Sequence, residues 1–232
     1  MTSNPIAIVH RSQHVVVVDK PADWLSVPSR IGLADPRPVV GTVLQAQLGC
    51  RVWPTHRLDE EVSGLLMFAL SAHAHRRISM ALEEHRIEKT YAARCEGTPP
   101  SDATFGAWVR WTSTLLRGKR RAYLHPAGKV AITDVRLRAV GAGPGGDLEF
   151  DLRPRTGRGH QLRVELARRG CPILGDTLYG AVRPRMGPGI ALRAVALSFA
   201  GWPEAAALDL PAALVVEPSL TAGGLLGSVA QV

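Results

Sequence analysis

Residues 56–70 read HRLDEEVSGLLMFAL, and this stretch decides how the chain around it folds. Its second half, LLMFAL (65–70), is an unbroken apolar run with the length of a buried strand. Its first half is polar and loop-like, and it places Asp59 just before that strand. The pattern predicts a carboxylate fixed at the rim of the core. Two interpretations stay open: a nucleophile kept ionised by a nearby cation, or a loop aspartate paired with Arg57. The residues alone favour the ion pair.

The regions on either side of this stretch alternate between short strands and a few helices. Apolar pattern and turn residues predict strands at 6–9, 14–19, 65–70, 87–96, 104–111, 130–140, 147–153 and 190–199, and helices at 39–49, 72–85 and 158–169. Ser71 is a candidate N-cap for the second helix, and Gly170 ends the third. Many strands with few helices favour an α+β fold over a doubly wound sheet.

The C-terminal end of the chain has a different composition. Beyond Pro211 the sequence becomes rich in Ala, Leu and Gly and has no clear period. We therefore expect one folded domain over residues 1–211 and a loosely ordered tail over residues 212–232.

The charge balance points toward a polyanion. The 232 residues include 28 Lys and Arg against 20 Asp and Glu, which gives a net charge of +8. Contacts between basic side chains and phosphates release counterions and so favour nucleic-acid binding. A generic basic surface explains the same excess equally well, so charge alone names no partner.

Several other classes lose support from the sequence. Cys50, Cys95 and Cys171 are widely spaced and form no C-x-x-C pair, which argues against a disulfide framework or a zinc ribbon. No G-x-S-x-G, H-E-x-x-H or Walker lysine motif occurs, which weakens hydrolase, zinc protease and NTPase interpretations. The N-terminus lacks the apolar core of a signal peptide, and no apolar run approaches the roughly 20 residues of a membrane span. A cytoplasmic protein is the expectation.

Four blocks of sequence resemble one enzyme family. HRLDEEVSGLLMFA (56–69) is similar to the H-R-L-D-x-x-T-S-G-L-L signature of RluA-type RNA pseudouridine synthases. The other three blocks also resemble family segments: KPADWLSVP (20–28), KTYAARCEG (89–97) and RPRTGRGHQLRVELARRGCPILGDTLYG (153–180). The blocks occur in the family's order and extend over roughly residues 6–204, so the resemblance covers almost the whole chain.

The resemblance implies a role for five residues. Asp59 corresponds to the catalytic aspartate, and Arg57 to the arginine that fills the space left when the target nucleotide flips out. Tyr91 corresponds to a tyrosine that stacks on the uracil, and Leu162 should line the base pocket. Arg163 corresponds to the basic residue that pairs with the aspartate. Its place at the edge of an apolar stripe agrees, because an arginine there is costly unless it meets a carboxylate such as Asp59.

Other basic residues are candidates for contacts with the RNA backbone. Arg158 and His160 fall at the predicted start of the third helix, where backbone N–H groups favour phosphate. Lys119 and Arg120 lie in the run RGKRR (117–121), which is either a solvated loop or a backbone clamp.

The resemblance further implies a fold and a reaction. We expect a pseudouridine synthase-like α+β fold, with a mixed, mainly antiparallel sheet and flanking helices and loops around a central cleft. The expected reaction converts uridines of rRNA or tRNA to pseudouridine without a metal or an organic cofactor. A monomer that binds RNA and no membrane is the default expectation.

Some positions depart from the family pattern. Val62 and Gly159 replace threonines, and Glu165 and Arg193 replace histidines. These changes leave the subgroup and its target RNA open. The changes at Val62, Gly159 and Arg193 also keep an alternative in view, a catalytically inactive RNA-binding or RNA-chaperone protein on the same fold. A basic DNA-binding domain is a third interpretation, but the sequence has no recognition-helix or zinc-finger pattern.

Overall fold

The computed structural model describes residues 5–29, 31–141, 146–218 and 230–231. Contacts within the chain divide it into two compact units. Of the described residues, unit 1 contains those up to Lys89, Ala194–Glu217 and residues 230–231. Unit 2 contains Thr90–Arg193 and Pro218. The boundaries after Lys89 and before Ala194 both fall inside strands.

Unit 1 is built around two buried strands. Its first elements are β1 (Ala7–Arg11), β2 (Val15–Lys20), α1 (Val40–Leu48), β3 (Trp53–Pro54), β4 (Ser63–Ala69) and α2 (Ala72–Glu83). Strand β2 pairs antiparallel with β1 and with β4, and β3 pairs antiparallel with β4. All seven residues of β4 are buried, and so are the four valines of β2. The apolar runs VVVV and LLMFA are therefore central to the core of this unit, as the sequence predicted.

Helix α2 follows the predicted capping and periodicity. The Ser71 hydroxyl accepts a hydrogen bond from the Ala74 amide at 3.1 Å, which satisfies one of the unpaired N–H groups at the helix start. Ala74, Ile78 and Ala81 form its buried stripe. The prediction of an N-capped amphipathic helix here is confirmed.

Unit 2 is an antiparallel sheet with one short helix. Its elements are β5 (Glu88–Cys95, from Thr90 onward), β6 (Val109–Arg117), β7 (Ala122–Leu124), β8 (Lys129–Val140), β9 (Leu148–Pro154) and α3 (Gln161–Ala167). The strand order is β5-β9-β8-β6-β7, and each of these pairings is antiparallel. Side chains along β8 alternate between buried and more exposed, as expected for a strand with one face on a core.

The chain then returns to unit 1. Strand β10 (Leu192–Ser198) belongs to unit 1 from Ala194 onward, where it is hydrogen-bonded to β4 and antiparallel to β11 (Ala213–Val215). Strand β11 in turn pairs with β12 (Ala230–Gln231). Ala213–Val215 therefore forms a strand within the segment predicted as a tail, with Leu214 fully buried. Residues 219–229 of that segment lie outside the described residues.

The α+β class is confirmed, and two predicted elements begin several residues later than predicted. The strand predicted at 104–111 is β6, which begins at Val109 and continues to Arg117. Trp111 and Leu115 are buried, but the polar residues between them made the apolar pattern of this strand difficult to recognise in the sequence. The helix predicted at 158–169 begins only at Gln161, because His160 has a left-handed backbone with a φ of 56°.

Candidate active site

Asp59 lies in the loop between β3 and β4, within unit 1. Its carbonyl oxygen accepts a hydrogen bond from the Val62 amide at 3.1 Å, which closes a turn. Strand β4 starts at the next residue, Ser63. Gly64, with a φ of 108°, lets β4 run directly against the backbone of Ala194. The loop is thus anchored to the most deeply buried strand of the unit.

A buried serine fixes the residue that precedes Asp59. The Ser26 hydroxyl donates to the carbonyl oxygen of Leu58 at 2.8 Å and accepts from the amide of Leu58 at 3.0 Å. Both residues are buried. Because one side chain satisfies both backbone groups of Leu58, the loop has little freedom at this point.

A buried lysine fixes the residue that follows Asp59. Lys20 is fully buried, and its ammonium donates to the carbonyl oxygens of Pro21 and Glu60 at 2.8 and 2.9 Å. Burial lowers the pKa of Lys20 from 10.5 to about 8, and the carboxylates of Asp23, Asp59, Glu60 and Glu61 act in the opposite direction. Lys20 therefore supports the acidic loop both through hydrogen bonds and through charge.

The side chains of this loop differ in exposure. Arg57 is exposed and Asp59 is half-buried, so solvent or a ligand can reach both. His56 accepts a hydrogen bond at Nε2 from the Met67 amide at 3.2 Å. Burial lowers the pKa of His56 to about 3, and the nearby Lys89 charge adds to the effect. His56 is therefore neutral at physiological pH.

The other three predicted substrate-binding residues belong to unit 2. Tyr91 is a buried residue of β5, opposite Leu152 of β9. Leu162 is buried in the first turn of α3. Arg163 is also buried, and its guanidinium donates to both carboxylate oxygens of Asp176, from Nε at 2.7 Å and from an Nη at 2.8 Å.

The Arg163–Asp176 pair was not predicted from the sequence. Both side chains are only 1% exposed. A two-point ion pair of this kind compensates for the loss of hydration and fixes the plane of the guanidinium. Asp176 lies in the segment GDTLYG (175–180), which is part of the fourth block that resembles the family. The sequence of that block does not show that the partner of Asp176 is Arg163.

Tyr179 connects the start of α3 with strand β7, which follows the basic run RGKRR (117–121). Its hydroxyl accepts from the Ala122 amide at 2.9 Å, lies 3.2 Å from the Ala122 carbonyl oxygen, and lies 3.0 Å from Nδ1 of His160. The Arg163 guanidinium lies 5.2 Å from the centre of the Tyr179 ring, within the range of a cation–π contact. Sequence reasoning assigned no role to Tyr179.

The predicted backbone contacts lie on two different segments. Lys119 and Arg120 are exposed in the turn between β6 and β7, as expected for the RGKRR run. Arg158 and His160 precede α3, and His160 is its N-cap residue; their contact with the RNA backbone stays a prediction. The Arg158 guanidinium donates to the Val130 carbonyl oxygen at 2.8 Å, and His160 contacts Tyr179.

The departures at positions 62 and 165 have structural explanations. Val62 is buried in the core of unit 1. Glu165 is also buried, and its carboxylate accepts from the Ser113 hydroxyl, from Arg169 and, at 3.2 Å, from Arg168. Arg169 also lies 3.7 Å from the centre of the Trp111 ring. A carboxylate at 165 therefore belongs to an ion-pair cluster that a neutral histidine could not support.

The described residues were also searched for metal-binding clusters and for membrane-spanning helices. No group of three or more His, Cys, Asp or Glu side chains among them is arranged to hold a metal ion. In the same part of the chain, no helix is long and apolar enough to cross a membrane.

Comparison with known proteins places this chain in one family. Residues 14–168 match the family model described as RNA pseudouridylate synthase. The dual-specificity RNA pseudouridine synthase RluA of Escherichia coli strain K12 is 32% identical over 197 residues, covering 83% of this chain and 86% of that protein. The tRNA pseudouridine synthase C of Yersinia pestis is 32% identical over 189 residues, covering 78% of this chain and 73% of that protein.

Two other relatives complete the comparison. The tRNA pseudouridine synthase C of Pectobacterium carotovorum subsp. carotovorum is 32% identical over 192 residues, or 78% of this chain, and the matched part spans only 50% of that relative. The solved structure of human RNA pseudouridylate synthase domain containing 1 aligns with a TM-score of 0.67 and 25% identity, covering 86% of this chain and 81% of that one. The chain belongs to the RNA pseudouridylate synthase family.

Proposed function

We propose that this protein isomerises uridine to pseudouridine in tRNA or rRNA, with Asp59 as its catalytic residue. The observation that carries the proposal is the anchored loop of unit 1. Ser26 and Lys20 hold the residues on either side of Asp59, while the carboxylate itself stays partly exposed. A reactive group on a fixed loop has the preorganisation that catalysis needs.

The reaction exchanges one bond of the uridine for another. The C1′–N1 glycosidic bond breaks, the uracil turns, and a C1′–C5 bond forms. The proton on C5 is lost, and N1 gains one. Asp59 begins this sequence by attacking either C1′ of the ribose, which displaces N1, or C6 of the uracil. The bond to Asp59 breaks again when C5 displaces the carboxylate from C1′, or when the carboxylate is eliminated from C6 after the C1′–C5 bond has formed. Both routes lead to the same product. The target nucleotide must leave its stack first, because the glycosidic bond of a stacked base is out of reach.

The other predicted residues have separate roles in the proposal. Arg57, exposed next to Asp59, fills the space left by the flipped nucleotide. Tyr91 stacks on the uracil, and Leu162 lines the pocket for it. Arg163 keeps Asp59 ionised. The pairing of Arg163 with Asp59 stays a prediction from sequence resemblance, alongside the observed pair with Asp176.

Four basic residues of the protein are proposed to bind the RNA backbone. Lys119, Arg120, Arg158 and His160 contact the RNA backbone, consistent with the net charge of +8. The protein acts as a cytoplasmic monomer and uses no metal or organic cofactor.

The test replaces Asp59 by asparagine. Asp59→Asn should abolish release of tritium from C5-labelled uridine in tRNA and rRNA while RNA affinity and the urea unfolding curve stay close to the wild type. Asp23→Asn is the matched control, because Asp23 is exposed in the same acidic region and has a left-handed backbone that asparagine also tolerates. It should keep full activity.

Two results would contradict the proposal. Tritium release by Asp59→Asn at the wild-type rate would remove Asp59 from the chemistry. Tight RNA binding by the wild-type protein with no pseudouridine in any tRNA or rRNA would favour the RNA-chaperone alternative.

A further inference from the structure

One end of the unit 2 sheet, around the turn between β6 and β7, is strongly basic. The chain contains six Lys and Arg residues and no Asp or Glu between Asp102 and Asp134. Strand β7 is the last strand in the sheet order of unit 2, next to β6. Five of the basic residues are exposed at this end of the sheet: Arg117, Lys119, Arg120, Arg121 and Lys129. Their charge complements a polyanion.

Two aromatic rings project from this basic end. Tyr123 is 42% exposed on β7, and His125, just beyond the end of that strand, is also exposed. Their ring centroids are 6.1 Å apart and the rings are perpendicular, in an edge-to-face contact. An exposed tyrosine on a strand does not by itself indicate a ligand, because it can simply pack on its cross-strand partner, here Leu116. Tyr123 differs in that its ring is also held from two other sides.

The supports of the Tyr123 ring are fixed by the backbone. A Cβ built at Gly118 would lie 3.1 Å from Cε1 of Tyr123, so the ring lies directly against the backbone of the basic turn. The His125 ring is fixed through Nδ1, which accepts a hydrogen bond from the Ala127 amide at 3.1 Å. A ring that is held in place before a ligand arrives loses little conformational entropy on binding. Tyr123 is therefore a rigid, exposed aromatic surface among cationic side chains.

The basic end is continuous with the segment that precedes α3. A Cβ built at Gly159 would lie 3.6 Å from Cδ of Arg117, so Arg117 packs beside that segment. The Tyr179 hydroxyl lies 3.0 Å from Nδ1 of His160 and also accepts a hydrogen bond from β7. Leu162, proposed to line the base pocket, is in the first turn of the helix that follows. An RNA strand that leaves this pocket can therefore reach the β6–β7 turn within unit 2.

We propose that Tyr123, supported by His125, stacks on an unpaired base of the RNA substrate, outside the pocket for the target uridine. Bases of single-stranded loops and bulges can turn outward and stack on tyrosine, whereas the bases of a duplex are covered by their neighbours. The basic run RGKRR and Lys129 bind the phosphates next to that base. The substrate class is therefore an RNA loop and not a duplex. This inference rests on the proposed function for RNA as the partner.

The first experiment measures the affinity of the full chain for an unmodified RNA stem-loop with uridines in its loop, and for the same strand annealed to its complement. Tyr123→Leu keeps an apolar side chain against Gly118 but removes the aromatic ring. It should weaken stem-loop binding roughly 5- to 150-fold, as for the loss of one base–aromatic stack. Tyr123→Phe keeps the ring and should bind like the wild type. Affinity for the duplex, and the slope of log K against log salt, should stay the same in both variants, because no charge is removed.

The matched control is Phe105→Leu. Phe105 is 67% exposed in the same unit, but it is bridged to Leu137, near the other end of β8 from Lys129. This variant should keep both affinities. An equal loss in Phe105→Leu and Tyr123→Leu, or an equal loss for stem-loop and duplex in Tyr123→Leu, overturns the proposal. Stem-loop binding by Tyr123→Leu at the wild-type affinity also overturns it, and assigns the exposed ring to a protein partner or a second copy of this chain.

The second experiment identifies the stacked base. Each loop nucleotide of the same stem-loop is replaced in turn by an abasic nucleotide. One replacement should weaken binding to the wild type by the factor that Tyr123→Leu shows with the intact loop, and that RNA should bind both proteins equally. If the two losses multiply at every position, no base contacts Tyr123 and the proposal is wrong. Neither experiment depends on turnover. If the stack is found but no pseudouridine forms, the proposed function fails while this binding site stands.

Discussion

Removing the carboxylate of Asp176 should destabilise the protein far more than an average surface substitution. Asp176→Ala leaves Arg163 with its guanidinium buried and deprived of two hydrogen bonds of 2.7 and 2.8 Å. Both side chains are only 1% exposed, so water cannot replace the lost carboxylate without opening the core. Breaking a buried pair from one side costs about 3–5 kcal/mol. For a chain of this size, that corresponds to a Tm lowered by roughly 6–20 °C.

Urea denaturation of the full chain, followed by circular dichroism, measures this loss directly. Asp134→Ala is the matched control, since Asp134 pairs with Arg110 and Arg155, whose side chains are 61% and 33% exposed. Exposed pairs contribute about 0–1 kcal/mol. A loss of less than about 1 kcal/mol in Asp176→Ala, or one equal to that of Asp134→Ala, would refute the reasoning from burial.

A double variant separates the structural role of this pair from its proposed role in catalysis. Arg163→Met combined with Asp176→Leu removes both charges and replaces them with apolar side chains, which should recover most of the stability. Its pseudouridine-forming activity should remain lost, because Arg163 is proposed to keep Asp59 ionised. Recovered activity in the double variant would remove Arg163 from the proposed site.

Three further outcomes are expected. Gly64→Ala should cost roughly 3 kcal/mol or more in urea unfolding, because the residue has a φ of 108° and its Cβ would lie 2.6 Å from the Ala194 nitrogen. Lys20→Met should lower kcat by releasing the Glu60 carbonyl, with KM less affected. Because burial lowers the pKa of Lys20 from 10.5 to about 8, the wild type should gain stability relative to Lys20→Met as pH rises between those values, on the order of 3 kcal/mol. Tyr179→Phe should cost about 1–2 kcal/mol and speed hydrogen exchange of the Ala122 amide.

Each of these outcomes has its own control. Gly49→Ala tests the backbone strain without the clash, since Gly49 has a φ of 67° and open space around it, and it should cost clearly less than Gly64→Ala. A Lys20→Met variant with the same pH dependence as the wild type would show that Lys20 does not titrate in that range. Tyr123→Phe removes a hydroxyl from a side chain that is 42% exposed, and equal protection of Ala122 in both tyrosine variants would contradict the role of Tyr179.

The sequence by itself determined the class of fold and the family. The runs VVVV and LLMFA predicted the two buried strands of unit 1, and Ser71 predicted the start of α2, because these signals are local and act through neighbours in the chain. Because these signals are local, the predicted starts of two other elements were wrong. Strand β6 was placed too early because its outward residues are polar, and α3 starts late because of a left-handed backbone at His160.

The tertiary structure decided how the candidate site is held. A carboxylate at 176 and a guanidinium at 163 are 13 positions apart, and only folding shows that they form a buried pair. Lys20 and Ser26 are more than 30 positions from the loop backbone that they fix, at separations where sequence pattern carries no information. HRLDEEVSGLLMFAL alone left Asp59 as either a nucleophile or a partner of Arg57. The fold shows why this aspartate suits the proposed catalytic role: buried donors on distant segments hold the loop from both sides, and its carboxylate stays within reach of solvent.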